Sequence, residues 1–168
     1  MSKLQEKFDQ LLAEQEALRA KFQQTAQELF KETTKEFFDG NPAVTAVVWT
    51  QYTPYFNDGD TCTFSVNEPT FTNAPDPENV RWGEYDGDEE GVFAVENPRW
   101  VLESDREYYK EDQEAVAKAG GIDVDSCEAF SRMIQSSAME DVMQAMFGDH
   151  VQVIATREGF DVNDYDHD

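Results

Sequence analysis

The chain has 168 residues, 39% apolar and 12% aromatic, with 13 Lys/Arg against 36 Asp/Glu and a net charge of −23. That length suits one domain with room for an appendage, and the aromatic content is too high for a disordered chain. So acidic a surface argues against direct contact with nucleic acid or with anionic membranes, both of which need Lys/Arg.

The charge is unevenly placed. Residues 1–38 hold six Lys/Arg and seven Asp/Glu, whereas residues 39–168 hold seven against twenty-nine. Concentrated like charge repels itself and costs stability, so it asks for a reason beyond solubility. The chain thus divides into two regions: a helical stem, residues 1–38, and an acidic α+β domain, residues 39–168.

Residues 3–38 read as one helix. Leu4, Phe8, Leu11, Leu18, Phe22 and Leu29 recur in alternating steps of three and four, with Gln15 and Thr25 in the two remaining places. This is a heptad seam, and it predicts self-association, a dimer first. A second apolar set, Leu12, Ala26, Phe30 and Phe37, broadens the stripe. Asp39-Gly40-Asn41-Pro42 ends the helix, with Gly40 expected in a left-handed cap. At a rise of ~1.5 Å per residue the helix spans roughly 50 Å, longer than a domain of this size needs.

Residues 43–52 are β-branched and aromatic and predict a strand. Pro54 breaks it, and Asn57-Asp58-Gly59-Asp60 is a turn signal. Residues 61–66 alternate, with Cys62, Phe64 and Val66 predicted inward. The two strands form a hairpin. Residues 67–100 read as a partly ordered loop pinned by Trp82, Tyr85, Phe93 and Trp100, with a short strand at 91–95. Its tip, residues 84–90, is the densest acidic run. Ser104-Asp-Arg-Glu107 opens a helix to about Ala119, ended by Gly120-Gly121. Asp125-Ser-Cys-Glu128 opens another that continues to Gly148, with Cys127, Phe130, Ile134, Val142 and Met146 inward. Residues 151–156 form a third strand that joins the hairpin, and the acidic tail from Asp161 is expected to fray.

The stretch Trp49-Thr-Gln-Tyr-Thr-Pro-Tyr-Phe-Asn-Asp-Gly-Asp60, then Cys62-Thr-Phe-Ser-Val66, together with the ending Tyr165-Asp-His-Asp168, resembles a family of small acidic proteins of tailed bacteriophages and some bacteria. The resemblance covers the hairpin and the C-terminus. It implies a phage-encoded protein acting in the host cytoplasm, and it carries over no functional residue.

Signatures of chemistry are scarce. No Gly-rich phosphate loop is present, and two Cys and two His without paired spacing do not make a zinc pattern. Cys62 and Cys127 read as reduced, buried thiols. Cys62 with His150 is a formal nucleophilic pair without an orienting third residue, and His150 reads better as a polar residue at a helix–strand junction. Carboxylate groups such as Asp58 with Asp60 read as solvated turn residues rather than cation sites. Trp49, Tyr52, Tyr55 and Phe56 read as core and hairpin packing rather than a base-stacking platform, since no basic groove accompanies them. No run reaches signal-peptide or membrane-span length, which places the protein in the cytoplasm.

The expected fold is therefore α+β: a small antiparallel sheet of three strands, two C-terminal helices packed on it, and a long coiled-coil-like N-terminal helix. The expected function is non-enzymatic and cofactor-free. An acidic surface mimics DNA charge to a host protein with a basic nucleic-acid-binding surface, through Glu84, Asp86, Asp88, Glu89 and Glu90 and through Asp164, Asp166 and Asp168. The other reading is an acidic structural or assembly protein, oligomeric through its N-terminal helix.

Overall fold

The computed structural model describes residues 2–73, 118 and 120–167. The chain divides into two compact units, Met1–Thr34 and Lys35–Asp168. The fold is mixed α+β, with a long N-terminal helix, an antiparallel sheet and two C-terminal helices. The elements are α1 (Lys3–Gly40), β1 (Ala46–Tyr52), β2 (Ser65–Val66), β3 (Thr70–Thr72), α2 (Val124–Ile134), a 3-10 turn (Ser137–Met139), α3 (Glu140–Phe147), β4 (Val151–Thr156) and β5 (Gly159–Asp164). The predicted 104–119 helix, apart from Lys118, which is helical, the 91–95 strand and the anchoring aromatics Trp82, Tyr85, Phe93 and Trp100 lie outside the described residues.

Strand β1 is the centre of the sheet. On one side it pairs with β2 through Gln51 and Tyr52, and with β3 through Ala46, Val47 and Val48. On the other it pairs with β4, which in turn pairs with β5. All pairings are antiparallel, and β4 joins the hairpin as its β-branched alternation predicts. Two strands escape prediction. Strand β3 is three residues in a stretch that reads as loop, too short to show a period. Strand β5 reads as a fraying tail because its Asp161, Val162, Asn163 and Asp164 are exposed and mostly polar; main-chain pairing to β4 holds it nonetheless. Strand β2 is shorter than predicted: pairing is confined to Ser65–Val66, and Cys62 and Phe64 are only half-buried, while Val66 is buried.

The helix predicted to run unbroken from Asp125 to Gly148 is two helices. Asp123, not Asp125, is the N-cap of α2, its side chain accepting from the Asp125 N–H. The helix stops at Ile134, ahead of Gln135-Ser136-Ser137. The Ser136 hydroxyl donates to the Met133 carbonyl at 3.0 Å, the local competition with helical bonding that serine introduces. Gly148, at φ 94°, ends α3 as predicted.

The end of α1 also differs from prediction. Gly40 is not left-handed. Instead the Asn41 side chain donates to the Phe37 carbonyl at 3.0 Å, and Arg157, in the turn between β4 and β5, donates to the carbonyls of Phe38 (2.9 Å), Asn41 (3.2 Å) and Val44 (3.3 Å). A helix C-terminus leaves carbonyls unsatisfied and partly negative, and a guanidinium supplies both donors and the matching charge. The last turn of α1 holds no cation of its own, so the complement comes from a residue more than a hundred positions away. Asn41 reaches further: it donates to the Ser126 hydroxyl and accepts from the Asp123 N–H, tying the end of α1 to the start of α2.

The core is largely aromatic, as the composition implies. Phe37, Phe71 and Phe130 pack on one another, Trp49 packs on Phe130 and Phe147, and Val47, Ile134, Met143 and Val153 fill between them without exposure. Gln51 is buried among these residues and its amide is used fully. It accepts from the Trp49 indole N–H at 3.2 Å and donates to the carbonyls of Met143 (3.0 Å) and Gly148 (2.7 Å). Buried amides are tolerated on this condition. The bonds fasten the C-terminal end of α3 to the middle of the sheet.

Candidate functional site

Antiparallel register sets the candidate site. Gln51 pairs with Val151, and Val151 pairs with Asp164. One step further along each strand lie Tyr52, His150 and Tyr165, side by side at one end of the sheet. The Tyr165 N–H donates to the His150 carbonyl at 2.9 Å, extending the ladder by that step. Three segments distant in sequence, Tyr52–Tyr55, Asp149–His150 and Tyr165–His167, are thereby brought together. They hold both histidines of the chain.

Asp149 organises the site. It receives the Thr53 N–H at 2.7 Å, the Thr53 hydroxyl at 2.6 Å, the His150 N–H at 2.9 Å and the Gln144 amide at 3.4 Å. Burial alone would raise its pKa. The Thr53 hydroxyl, the Thr53 and His150 backbone N–H groups and the nearby His150 ring outweigh that, and hold the carboxyl below the ordinary aspartate value. His150 takes a left-handed backbone conformation, φ 55°, one that histidine adopts more readily than most residues. Its Nε2 lies 3.6 Å from Asp149 Oδ1.

The other ring nitrogen of His150, Nδ1, meets Nε2 of His167 at 2.8 Å. The two rings are 13° from coplanar with centroids 5.1 Å apart, so they meet edge to edge, nitrogen to nitrogen, rather than face to face. Tyr55 lies parallel to both, 4.8 Å from His150 and 4.6 Å from His167. Tyr52 stacks on His167 at 3.7 Å, and Tyr165 flanks both at 5.9 Å. The cluster can hold a proton between two imidazoles, with a carboxylate beside one of them. Among the described residues, no three His, Cys, Asp or Glu side chains converge to hold a metal ion.

The site splits an aromatic group that the sequence presents as one. Trp49 is core, at 1% exposure. Tyr52 and Tyr55 serve the histidine cluster, while Phe56 and the outer part of Tyr55 are exposed. His150 does sit at a helix–strand junction, and its ring nitrogens meet His167 and Asp149. Cys127 is buried and Cys62 half-buried. The cluster escapes sequence reasoning because β5 does: without that strand nothing places His167 beside His150. A signal is present, since both histidines adjoin aspartates, but their alignment takes the antiparallel pairing of β4 with β5.

The residues predicted to bind a partner are partly placed. Asp164 ends β5 opposite Val151 and Asp166 lies two residues on; both are exposed. Glu84, Asp86, Asp88, Glu89, Glu90 and Asp168 lie outside the described residues. The predicted seam on α1 is on the surface: Leu4, Phe8, Leu11, Leu18, Phe22 and Leu29 are 59–78% exposed. The second apolar set behaves otherwise. Phe30 and Phe37 are buried and Ala26 half-buried, while Leu12 is exposed. No helix among the described residues is long and apolar enough to cross a membrane. No family model, curated protein or solved structure matches the chain.

Proposed function

We propose that the protein is a non-enzymatic binding protein, a phage-encoded inhibitor that works in the host cytoplasm. It self-associates through its N-terminal helix and presents acidic bodies that mimic DNA charge to a host protein with a basic nucleic-acid-binding surface. One juxtaposition supports this reading. A nearly neutral helix leaves an apolar seam exposed, in the same chain as a body whose carboxylates, among them Asp58, Asp123, Asp125, Asp161, Asp164 and Asp166, are also exposed. Monomers rarely leave a sustained apolar stripe to water. Several acidic bodies on one stem would raise local charge and add avidity.

Capture of a nucleic-acid-binding protein from host lysate tests the proposal when repeated over a salt series and with competing duplex DNA. Capture should weaken steeply with salt and be displaced by DNA, because like-charged ligands compete for one basic channel. Neutralising the 84–90 run, or Asp164 with Asp166, should weaken it further. Capture indifferent to both salt and DNA refutes charge mimicry.

The exposed seam equally favours an acidic structural or assembly protein. Charge substitutions in the seam separate the two. An inhibitor's body retains measurable affinity for its target when monomeric, whereas an assembly protein loses its oligomer and its role together.

A further inference from the structure

We propose that His150 and His167 form a proton-shared latch that fastens the end of the chain after Tyr165 against the Tyr52–Tyr55 end of the sheet, and that acid releases it. The inference is independent of the partner reading above. A nitrogen–nitrogen contact of 2.8 Å between imidazoles requires one N–H and one lone pair. Two neutral rings satisfy it. So does one ring with one added proton, in a stronger charge-assisted bond. Two protonated rings do not, because donor then faces donor and two cations stand in contact. The latch therefore survives the first proton and fails on the second.

The surroundings favour this behaviour. Asp149 Oδ1 lies 3.6 Å from the far nitrogen of His150. Its carboxyl, held below the ordinary aspartate value, stays ionised throughout the range in which histidines titrate. Among the described residues, Tyr52 from β1, Tyr55 beyond it and Tyr165 after β5 also lie against the pair, and Asp166 adjoins His167 in sequence. The Tyr165 N–H bond to the His150 carbonyl involves only main-chain atoms and does not titrate. Release is therefore confined to the residues beyond Tyr165, and the sheet stays intact.

The chain has two histidines, so ring-proton NMR of the whole protein between pH 8 and 5 reads both without ambiguity. The expected result is a coupled titration, in which both rings report the same two steps. At the second step the backbone order parameters of Asp166 and His167 should fall below about 0.6, while far-UV circular dichroism stays constant. His167→Phe keeps a flat ring against Tyr52 and Tyr55 but shares no proton. In that variant His150 should titrate in one step, and the order of residues 166–167, whether high or low, should not change with pH. Independent single-step titrations in the wild-type protein, or the same acid-induced loosening in His167→Phe, would overturn the latch.

Discussion

Replacing Gln51 with leucine removes an amide that is fully buried and fully bonded, with little change in volume. Three hydrogen bonds are lost: one from the Trp49 indole and two to the carbonyls of Met143 and Gly148. A neutral bond contributes about 1 kcal/mol net, and a buried carbonyl that loses its donor costs about 1–3 kcal/mol. Against this, leucine gains the transfer free energy of an apolar side chain, about 2 kcal/mol. The balance is a destabilisation of about 3 kcal/mol. For a chain of this size that lowers Tm by about 6–12 °C. Thermal and urea melts followed by far-UV circular dichroism measure it directly. Gln51→Glu sharpens the test, since it sets a carboxylate against two carbonyl oxygens. It should be worse than leucine at pH 7. The introduced carboxyl has its folded pKa raised, so its penalty grows as pH rises above the unfolded value of about 4.3 and is relieved below it. A leucine variant within 1 kcal/mol of wild type, or a glutamate variant insensitive to pH, would refute the claim that this amide fastens α3 to the sheet.

Three further perturbations test other parts of the structure. Leu11→Glu with Leu18→Glu, at positions 59% and 68% exposed, should turn a sedimenting oligomer into a monomer while leaving circular dichroism of the body unchanged; a wild-type chain that sediments as a monomer refutes the seam. Arg157→Met keeps the aliphatic stem but removes the donors to the end of α1. Because Arg157 is exposed and water can replace part of what is lost, the expected cost in chemical denaturation is about 1–2 kcal/mol, with Arg157→Lys in between. Asp149→Ala should destabilise at neutral pH. The native carboxyl has a lowered folded pKa, so its contribution is complete above the unfolded value and lost as pH falls through the folded one. The stability gap between wild type and variant should thus be flat above about pH 5 and close below it; a gap that stays constant into acid contradicts the bonding described for Asp149.

Features encoded by a local period or a turn residue are legible in the sequence. The 3.6-residue stripe marks α1, the β-branched runs mark β1 and β4, and the Asn57-Asp58-Gly59 turn appears with Asp58 and Gly59 at positive φ. The seam residues are exposed together because helical spacing alone puts them on one face. Elements whose stability comes from neighbours stay hidden. Thr70–Thr72 is too short to show a pattern, the alternation over 61–66 marks β2 but overstates its length, and β5 carries exposed polar residues that imitate a disordered tail. The break in the last helix depends on one serine hydroxyl returning to a carbonyl, which competes with helix only weakly.

Charge distribution, the helical seam and the aromatic supply for a core were determined by the sequence alone, because each depends on residue type and spacing within a few turns of chain. Only the tertiary structure decided that Arg157 would close the end of α1, that Gln51 would anchor α3 and that His150 would meet His167. Those partners are 17 to 119 positions apart. Their meeting comes from strand register, a relation between segments that no single segment encodes.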